Sequence, residues 1–279
     1  MTILTATLGI AAVSFGAGLL GSLTGLGGGV VLVPLLTLVF HVHLRYAVGA
    51  ALVSVIATSS GAAAAYVREG YTNIRVAMIL EIATVIGALA GAYAAGFVSP
   101  RLLAFAFAVV LLFAAYRSLR PQQDHSTTAA ADPLATRLRL NGTWPAPGGE
   151  QPYTVHHVPA GFAIMSVAGA ISGLLGIGSG ALKVLALDQA MRLPFKVSTA
   201  TSNLMIGVTA AASAGIYLRR GYVDPGLAFP VMIGVLAGAL VGARLMTAAR
   251  TRFLRGLFTV VIVVLAAEML IRAARGGFQ

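Results

Sequence analysis

Charged residues are so widely spaced along this chain that the intervals between them define its elements. Residues 2–44 contain no Asp, Glu, Lys or Arg, and the same holds for residues 46–67. Residues 76–96 carry one acid, Glu81, and residues 102–116 carry no charge. After a polar stretch the pattern resumes over 158–182, 197–218, 226–243 and 256–271, the last enclosing Glu268. A membrane-crossing helix needs roughly 20 apolar residues. The pattern therefore predicts an all-α polytopic membrane protein with eight apolar segments, four on either side of the polar stretch.

The first segment is longer than one straight span requires, and it contains Gly25-Leu26-Gly27-Gly28-Gly29. A glycine inside a helix costs about 1 kcal/mol relative to alanine, so a run of them predicts a break, with two helical pieces or a re-entrant hairpin. Broken backbone at membrane depth is tolerated only where protein or a water-filled cavity covers it. The polar stretch 121–157 holds Pro121, Pro133, Pro145, Pro147 and Pro152. It is expected to be an exposed linker without a folded domain, dividing an N-terminal transmembrane repeat (1–120) from a C-terminal one (158–279).

The two repeats superpose on a single offset. Adding 151 carries Gly25, Gly27 and Gly29 onto Gly176, Gly178 and Gly180, and Tyr66, Arg68, Gly70 and Tyr71 onto Tyr217, Arg219, Gly221 and Tyr222. It also carries Gly87, Leu89 and Gly91 onto Gly238, Leu240 and Gly242. Composition bias aligns glycines by accident, but not a Tyr-x-Arg-x-Gly-Tyr loop between matched apolar runs. The pairs Gly87-x-x-x-Gly91 and Gly238-x-x-x-Gly242 fit close helix packing. The clusters at 25–29 and 176–180 have too many glycines for one packing face. Duplicated halves with matching interrupted segments point to a secondary transporter whose site lies where the breaks face each other.

Composition narrows the alternatives. Of 279 residues, 58% are hydrophobic and 10% are charged, where soluble domains carry about 25% charge. The net charge of +11 is scattered between apolar runs rather than clustered, so no nucleic-acid partner is expected; membrane lipid is. There is no cysteine, which excludes thiol catalysis, disulfides and Cys-based zinc sites. The His residues have no metal-ligand spacing, and no nucleophile–base constellation or cofactor motif is present; the chain is not expected to be an enzyme. The first run lacks a basic leader and a cleavage region, so it is expected to be retained. If segments one and five each enter and return, Lys/Arg divide twelve to six between the two membrane sides; eight simple crossings divide them ten to eight. The positive-inside rule favours the first model. It makes the halves inverted repeats and places the linker in the cytoplasm.

A few polar groups interrupt the apolar runs. Lys183 follows Gly180, where the first repeat has Leu32. An intramembrane ionisable residue is a functional-site hypothesis, although a lysine also snorkels to the interface or pairs locally with Asp188. Ser202 and Asn203 lie in the hydroxyl-rich start of segment six. An amide in hydrocarbon needs a partner, which a neighbouring helix or a substrate supplies. Glu81 and Glu268 are candidate proton carriers. Glu268 also has Arg272 four residues on, the favourable order for a helical pair.

With these features in place, the chain resembles the TauE/SafE family of sulfite exporter-like membrane anion transporters. The resemblance rests on Gly25-Leu26-Gly27-Gly28-Gly29 followed by Pro34, and on the second copy, Ser172-Gly173-Leu174-Leu175-Gly176-Ile177-Gly178-Ser179-Gly180. The second copy departs from the pattern in three ways: Ser179 replaces a glycine, Lys183 adds a charge, and Leu185 stands where Pro34 would recur. The resemblance implies transport, in the export direction, of a small anion such as sulfite, an organosulfonate or a related organic acid across the bacterial inner membrane. The implied substrate-binding residues are Gly25, Gly27, Gly28, Gly29, Gly176, Gly178, Ser179, Gly180, Lys183, Ser202 and Asn203, with protons as a coupling partner through Glu81 or Glu268. An anion channel would use the same breaks, and a membrane protein without transport activity is the remaining alternative. The absence of cysteine allows a direct test of sidedness. A cysteine introduced at position 130 is expected to resist membrane-impermeant maleimide in intact cells and to react after permeabilisation.

Overall fold

The computed structural model describes residues 3–24, 28–119, 132–146, 149–246 and 251–277. In hydrocarbon each backbone N–H and C=O must be satisfied within its own segment, and the apolar segments are accordingly helical. The first half contains α1 (Ile3–Thr24), α2 (Gly29–Leu38), α3 (Leu44–Arg68), α4 (Ile74–Ala94) and α5 (Pro100–Leu119). A short α6 (Pro133–Arg137) and a hairpin of β1 (Gly142–Ala146) and β2 (Gly149–Tyr153) precede the second half. That half contains α7 (Val158–Leu175), α8 (Gly180–Leu185), a π turn (Ala186–Ala190), α9 (Phe195–Arg219), α10 (Pro225–Met246) and α11 (Thr251–Ala274). The protein is mostly helical and polytopic. Among the described residues α3, α4 and α7 are long and apolar enough to cross a membrane. The 10 residues of α2 reach only about 15 Å, half the hydrocarbon thickness.

The repeated sequence motif has a repeated backbone role. Gly70 and Gly221 have φ of 76° and 71°, the left-handed conformation that glycine adopts without steric cost. Each closes the helix before it in the same way. Tyr71 N donates to Tyr66 O and Gly70 N to Val67 O; Tyr222 N donates to Tyr217 O and Gly221 N to Leu218 O. This is the Schellman arrangement.

Helix packing follows the same offset. α1 packs along α10 and α7 along α4, while α3 pairs with α9 and α5 with α11. A Cβ on Gly87 would overlap Ser166 O of α7, and one on Gly238 would overlap Phe15 O of α1. Both members of each contact are 151 residues apart from their counterparts, so the internal repeat is also a repeat of packing. Gly91 meets Ala170 in the same way; the surroundings of Gly242 fall outside the described part. The first helix of each half therefore lies on the other half, and the two are interlocked.

Directions are fixed by polar contacts. Asn73 N donates to Thr201 Oγ1, Thr209 Oγ1 donates to Glu81 Oε1, and Arg220 Nη1 donates to Ala92 O, all with a separation of 128 residues. A constant separation means that α4 and α9 run parallel, side by side. At the start of α3 the Arg45 guanidinium lies 5.5 Å from the Tyr222 ring centroid, and at the start of α9 the Lys196 ammonium lies 5.9 Å from that of Tyr71. These two cation–π contacts also correspond under the repeat. Met78, Ile82, Phe229 and Ile233 are exposed. They form corresponding apolar stripes on α4 and α10, as expected of lipid-facing surface.

Residues 132–157 differ from the exposed linker expected of them. Ala135, Leu140, Tyr153 and Val155 are buried with Val76 and Leu80 of α4, Met165 of α7 and Met191. Asn73 Nδ2 donates to Leu140 O and Tyr153 Oη, each at 2.8 Å. Asp132 accepts from Leu134 N and Val158 N, and these two N–H groups hold its carboxyl below the ordinary carboxylate value. Four apolar anchors spread over twenty residues carry no periodicity, so the proline content dominated the sequence pattern. Part of the stretch expected to be linker, residues 121–131, lies outside the described residues.

The interlocking makes a clear prediction. Gly87→Val is expected to lower unfolding stability in detergent by about 1–3 kcal/mol through overpacking. Gly61→Val, where a Cβ meets nothing within 4 Å, is expected to stay within about 0.5 kcal/mol of the parent. Equal stabilities would remove the close approach as the cause.

Candidate functional site

α1 ends at Thr24 and α2 begins at Gly29; α7 ends at Leu175 and α8 begins at Gly180. Gly25 and Gly27 lie outside the described residues. In the second half Gly176 and Gly178 have φ of 69° and 70°, and Ser179 has φ of 45°. Ser179 adopts a conformation that costs a non-glycine residue roughly 1–2 kcal/mol. Its counterpart Gly28 has φ of −65°, so the two connections are not conformational copies.

The described parts of the two glycine clusters meet. A Cβ built on Gly29 would lie 3.3 Å from Gly176 O and 3.6 Å from Ile177 Cα. Only glycine allows this approach, since the same Cβ would also sit 2.8 Å from Val55 Cγ2. Gly178 is walled by Ile206 and Val55. The contact thus lies against α3 and α9, at the centre of the helix assembly, and residues 176–180 are buried.

Beside this contact is a cavity of about 80 Å³, lined by Gly28 at the start of α2, Thr58, Ser59 and Tyr66 of α3, and Asn203 and Ile206 of α9. Asn203 Nδ2 donates to Thr199 O one turn back. Thr58 Oγ1 donates to Ser54 O at 3.1 Å or Val55 O at 3.3 Å, and Ser59 Oγ donates to Ile56 O. Val55, Ala62 and Ala239 complete a mostly apolar lining with Ile206, so the polar groups are three hydroxyls, an amide and backbone, without a formal charge.

Lys183 is elsewhere. It is fully buried, so its ammonium does not snorkel to the surface. Nζ donates to Met205 O at 3.1 Å and to Thr209 Oγ1 at 2.5 Å. Thr209 Oγ1 lies 2.7 Å from Glu81 Oε1 and 2.7 Å from Met205 O. With one proton to give, the hydroxyl accepts from the ammonium and donates to the carboxylate, linking cation and anion across α9. Glu81 Oε2 is buried without a hydrogen-bond partner. The Ser179 and Ser172 hydroxyls are likewise buried and unpartnered. Ser202 Oγ reaches Gly180 O at 3.5 Å, tying α9 to α8. Glu268 pairs with Arg272 Nε at 3.1 Å near the end of α11, both partly exposed; such a pair contributes a few tenths of a kcal/mol.

The structure thus splits the sequence-derived set. Gly28 and Asn203 reach the cavity. Gly29, Gly176, Gly178 and Gly180 form or flank the contact beside it. The buried Lys183 joins the half-buried Glu81 in a separate relay, and Glu268 belongs to neither group. Sequence reasoning missed Thr58, Tyr66 and Thr209 as members of these groups. The repeat held the clue, because Thr58 corresponds to Thr209 and Tyr66 to Tyr217. Among the described residues no group of three or more His, Asp or Glu could hold a metal.

Lys183 is fully buried and its charge is balanced through Thr209 by the half-buried Glu81, so removing either partner is expected to cost about 1–3 kcal/mol. Glu81→Gln and Lys183→Met are each expected to lower unfolding stability on that scale. The double substitution is expected to recover most of the loss. Additive losses in a double-mutant cycle would show that the two residues do not interact.

Comparison with known proteins places these features. The family model "Sulfite exporter TauE/SafE" matches residues 10–269. The chain is similar to the "Probable membrane transporter protein YunE" of Bacillus subtilis (strain 168), 27% identical over 263 residues that cover 91% of this chain and 93% of that protein. It is 29% identical over 241 residues to the "Probable membrane transporter protein YdhB" of the same organism, covering 83% and 87%. It is 28% identical over 265 residues to a "Probable membrane transporter protein" of Xylella fastidiosa (strain 9a5c), covering 94% and 92%. No solved structure matches the chain. With its apolar helices, internal repeat and central glycine contact, the chain belongs to the TauE/SafE sulfite exporter family and is a multi-pass bacterial inner-membrane transporter of anions rather than an enzyme.

Proposed function

We propose that the protein is a secondary carrier exporting a small anion such as sulfite, an organosulfonate or a related organic acid. The observation that carries this reading is the meeting of the two glycine clusters beside a small, mostly apolar cavity into which a few hydroxyls and an amide converge. The cavity is several times the roughly 10–15 Å³ that one water requires. Hydroxyls and an amide solvate an oxyanion without fixing it, and the N-terminus of α2 at Gly28 adds partial positive charge. Thr58, Ser59, Tyr66 and Asn203 then hold the anion, with Gly28 and Gly29 at one wall. Gly176, Gly178, Ser179, Gly180 and Ser202 form the opposing break beside the cavity, and Lys183 acts on the site from its separate relay.

The repeats, 1–120 and 158–279 joined by 121–157, are taken as inverted copies. Support comes from the parallel run of α4 beside α9. If the short 69–73 turn sets α3 antiparallel to α4, α3 points opposite to its own counterpart α9. Inverted halves give a carrier two related states, open to either side, through one rocking motion. A proton is taken as the coupling partner, with Glu81 the better placed carrier, since Glu268 is held by Arg272.

The test is flux in proteoliposomes under a pH gradient. Labelled sulfite and sulfoacetate are expected to move with saturation and counterflow, while a simple carboxylate control measures selectivity. Asn203→Ala and Thr58→Val are each expected to reduce the initial rate about tenfold, the scale of one lost hydrogen bond to a charged group. No movement of any of these anions would overturn the reading. Non-saturating flux without counterflow would replace the carrier by a channel.

A further inference from the structure

The offset of 151 carries Thr58 onto Thr209 and Tyr66 onto Tyr217, but it turns Gly28 into Ser179, Ala51 into Ser202 and Leu52 into Asn203, and it also fails at the intramembrane charges. Lys183, Thr209 and Glu81 correspond to Leu32, Thr58 and Met232. One of the two related places therefore has Thr58, which lines the cavity, with Leu32 of the first half and Met232 of the second at the positions of the two charges. The other has the same hydroxyl clamped between an ammonium and a carboxylate. Burying two charges costs several kcal/mol per ion before their attraction is counted. The related place around Thr58 shows that the fold stands without such charges there.

The surroundings isolate the pair. α7 carries no titratable side chain, and α8 carries only Lys183. α9 carries Lys196, Tyr217 and Arg219 near its ends, the π turn carries Asp188, and α4 also has Arg75 and Tyr93 near its ends. Lys183 and Glu81 are each other's charged neighbour. The second carboxylate oxygen of Glu81 is buried and unpartnered, so a proton has a place to bind without displacing a hydrogen bond. The relay also adjoins the cavity through α9. Met205 O, which holds the ammonium, lies between Asn203 and Ile206 of the cavity wall, within one 5.4 Å turn.

We propose that the Glu81–Thr209–Lys183 relay couples one proton to each anion by exchange of counter-ions. With Glu81 ionised, Lys183 is neutralised internally and the cavity gains little from it. When a proton adds to Glu81 Oε2, the Lys183 charge is left without its partner and draws an anion into the cavity beside it. The anion becomes the counter-ion, and proton and monoanion move together without net charge. A unit charge about 10 Å away at an effective dielectric near 20 changes anion affinity by about tenfold. This rests on the carrier reading above and assigns its coupling to one residue.

The experiment is calorimetric titration of the full chain in nanodiscs at pH 7 with sulfoacetate and with methanesulfonate, which stays ionised. Each is repeated in buffers of different ionisation enthalpy to count protons. The parent is expected to take up about one proton per anion. Glu81→Gln is expected to bind about tenfold more tightly with no uptake, and added anion is expected to raise its thermal stability. Glu81→Gln/Lys183→Gln, which buries no unpaired charge and so guards against misfolding, is expected to bind about tenfold more weakly than Glu81→Gln, again with no uptake. Zero uptake by the parent, undiminished uptake by Glu81→Gln, or equal affinities of the single and double variants would overturn the proposal. If no variant binds either anion, the failure belongs to the carrier reading itself.

Discussion

Water is absent from the bilayer core, so every backbone amide there must find its partner in the protein. This constraint determines where the chain is allowed to stop being helical. The left-handed turn at Gly176, Gly178 and Ser179 is buried among Val48, Val55, Ile206 and Gly29, not at the lipid face. Covering it takes helices on several sides, and α3, α7 and α9 do so. The close helix contacts at Gly87, Gly91 and Gly238 serve the same end, because they bring the surrounding helices near enough to exclude lipid. Packing and site are consequences of one requirement.

Within that enclosure, polarity is distributed unequally. The cavity side has hydroxyls and an amide engaged mostly with their own helices. The relay side has two full charges joined by one hydroxyl. A low-dielectric interior magnifies both, but differently: dipoles solvate weakly and reversibly, whereas charges demand compensation. A carrier that must bind and release benefits from the first near its substrate. The second behaves as an all-or-none element, since either both charges are present or neither is comfortable.

Much of this was legible in the sequence because membrane proteins separate charge from span so sharply. The apolar runs located the helices, and the offset of 151 located matched caps, matched cation–π pairs and the Gly87–Ser166 and Gly238–Phe15 contacts. Lys183 and Glu81 were each conspicuous as intramembrane charges, but nothing in their spacing of about a hundred residues said that they share Thr209. That link depends on α4 and α9 lying parallel in register, a tertiary fact. The folding of 132–157 was hidden for a related reason. A cap held by Leu140, Tyr153, Val155 and the side chain of Asn73 needs only scattered anchors, which proline-rich patterning obscures. Lys183 also showed how a local expectation is overruled, because its long side chain turns inward to α9 instead of outward to the interface.

The exchange of first helices between the halves has a consequence for how such a chain arises. α1 finds its groove on α10, and α7 finds its groove on α4, so neither half can bury its own leading helix. On the proposed reading of the halves as inverted copies, a single copy would fold as an antiparallel pair about a two-fold axis, each molecule completing the other. On that reading, joining two copies in one chain makes the encounter intramolecular, with an effective concentration that does not depend on expression. It also releases the copies from identity. A homodimer must place the same side chain at both equivalent sites. The fused chain is free to keep Leu32 on one side and Lys183 on the other.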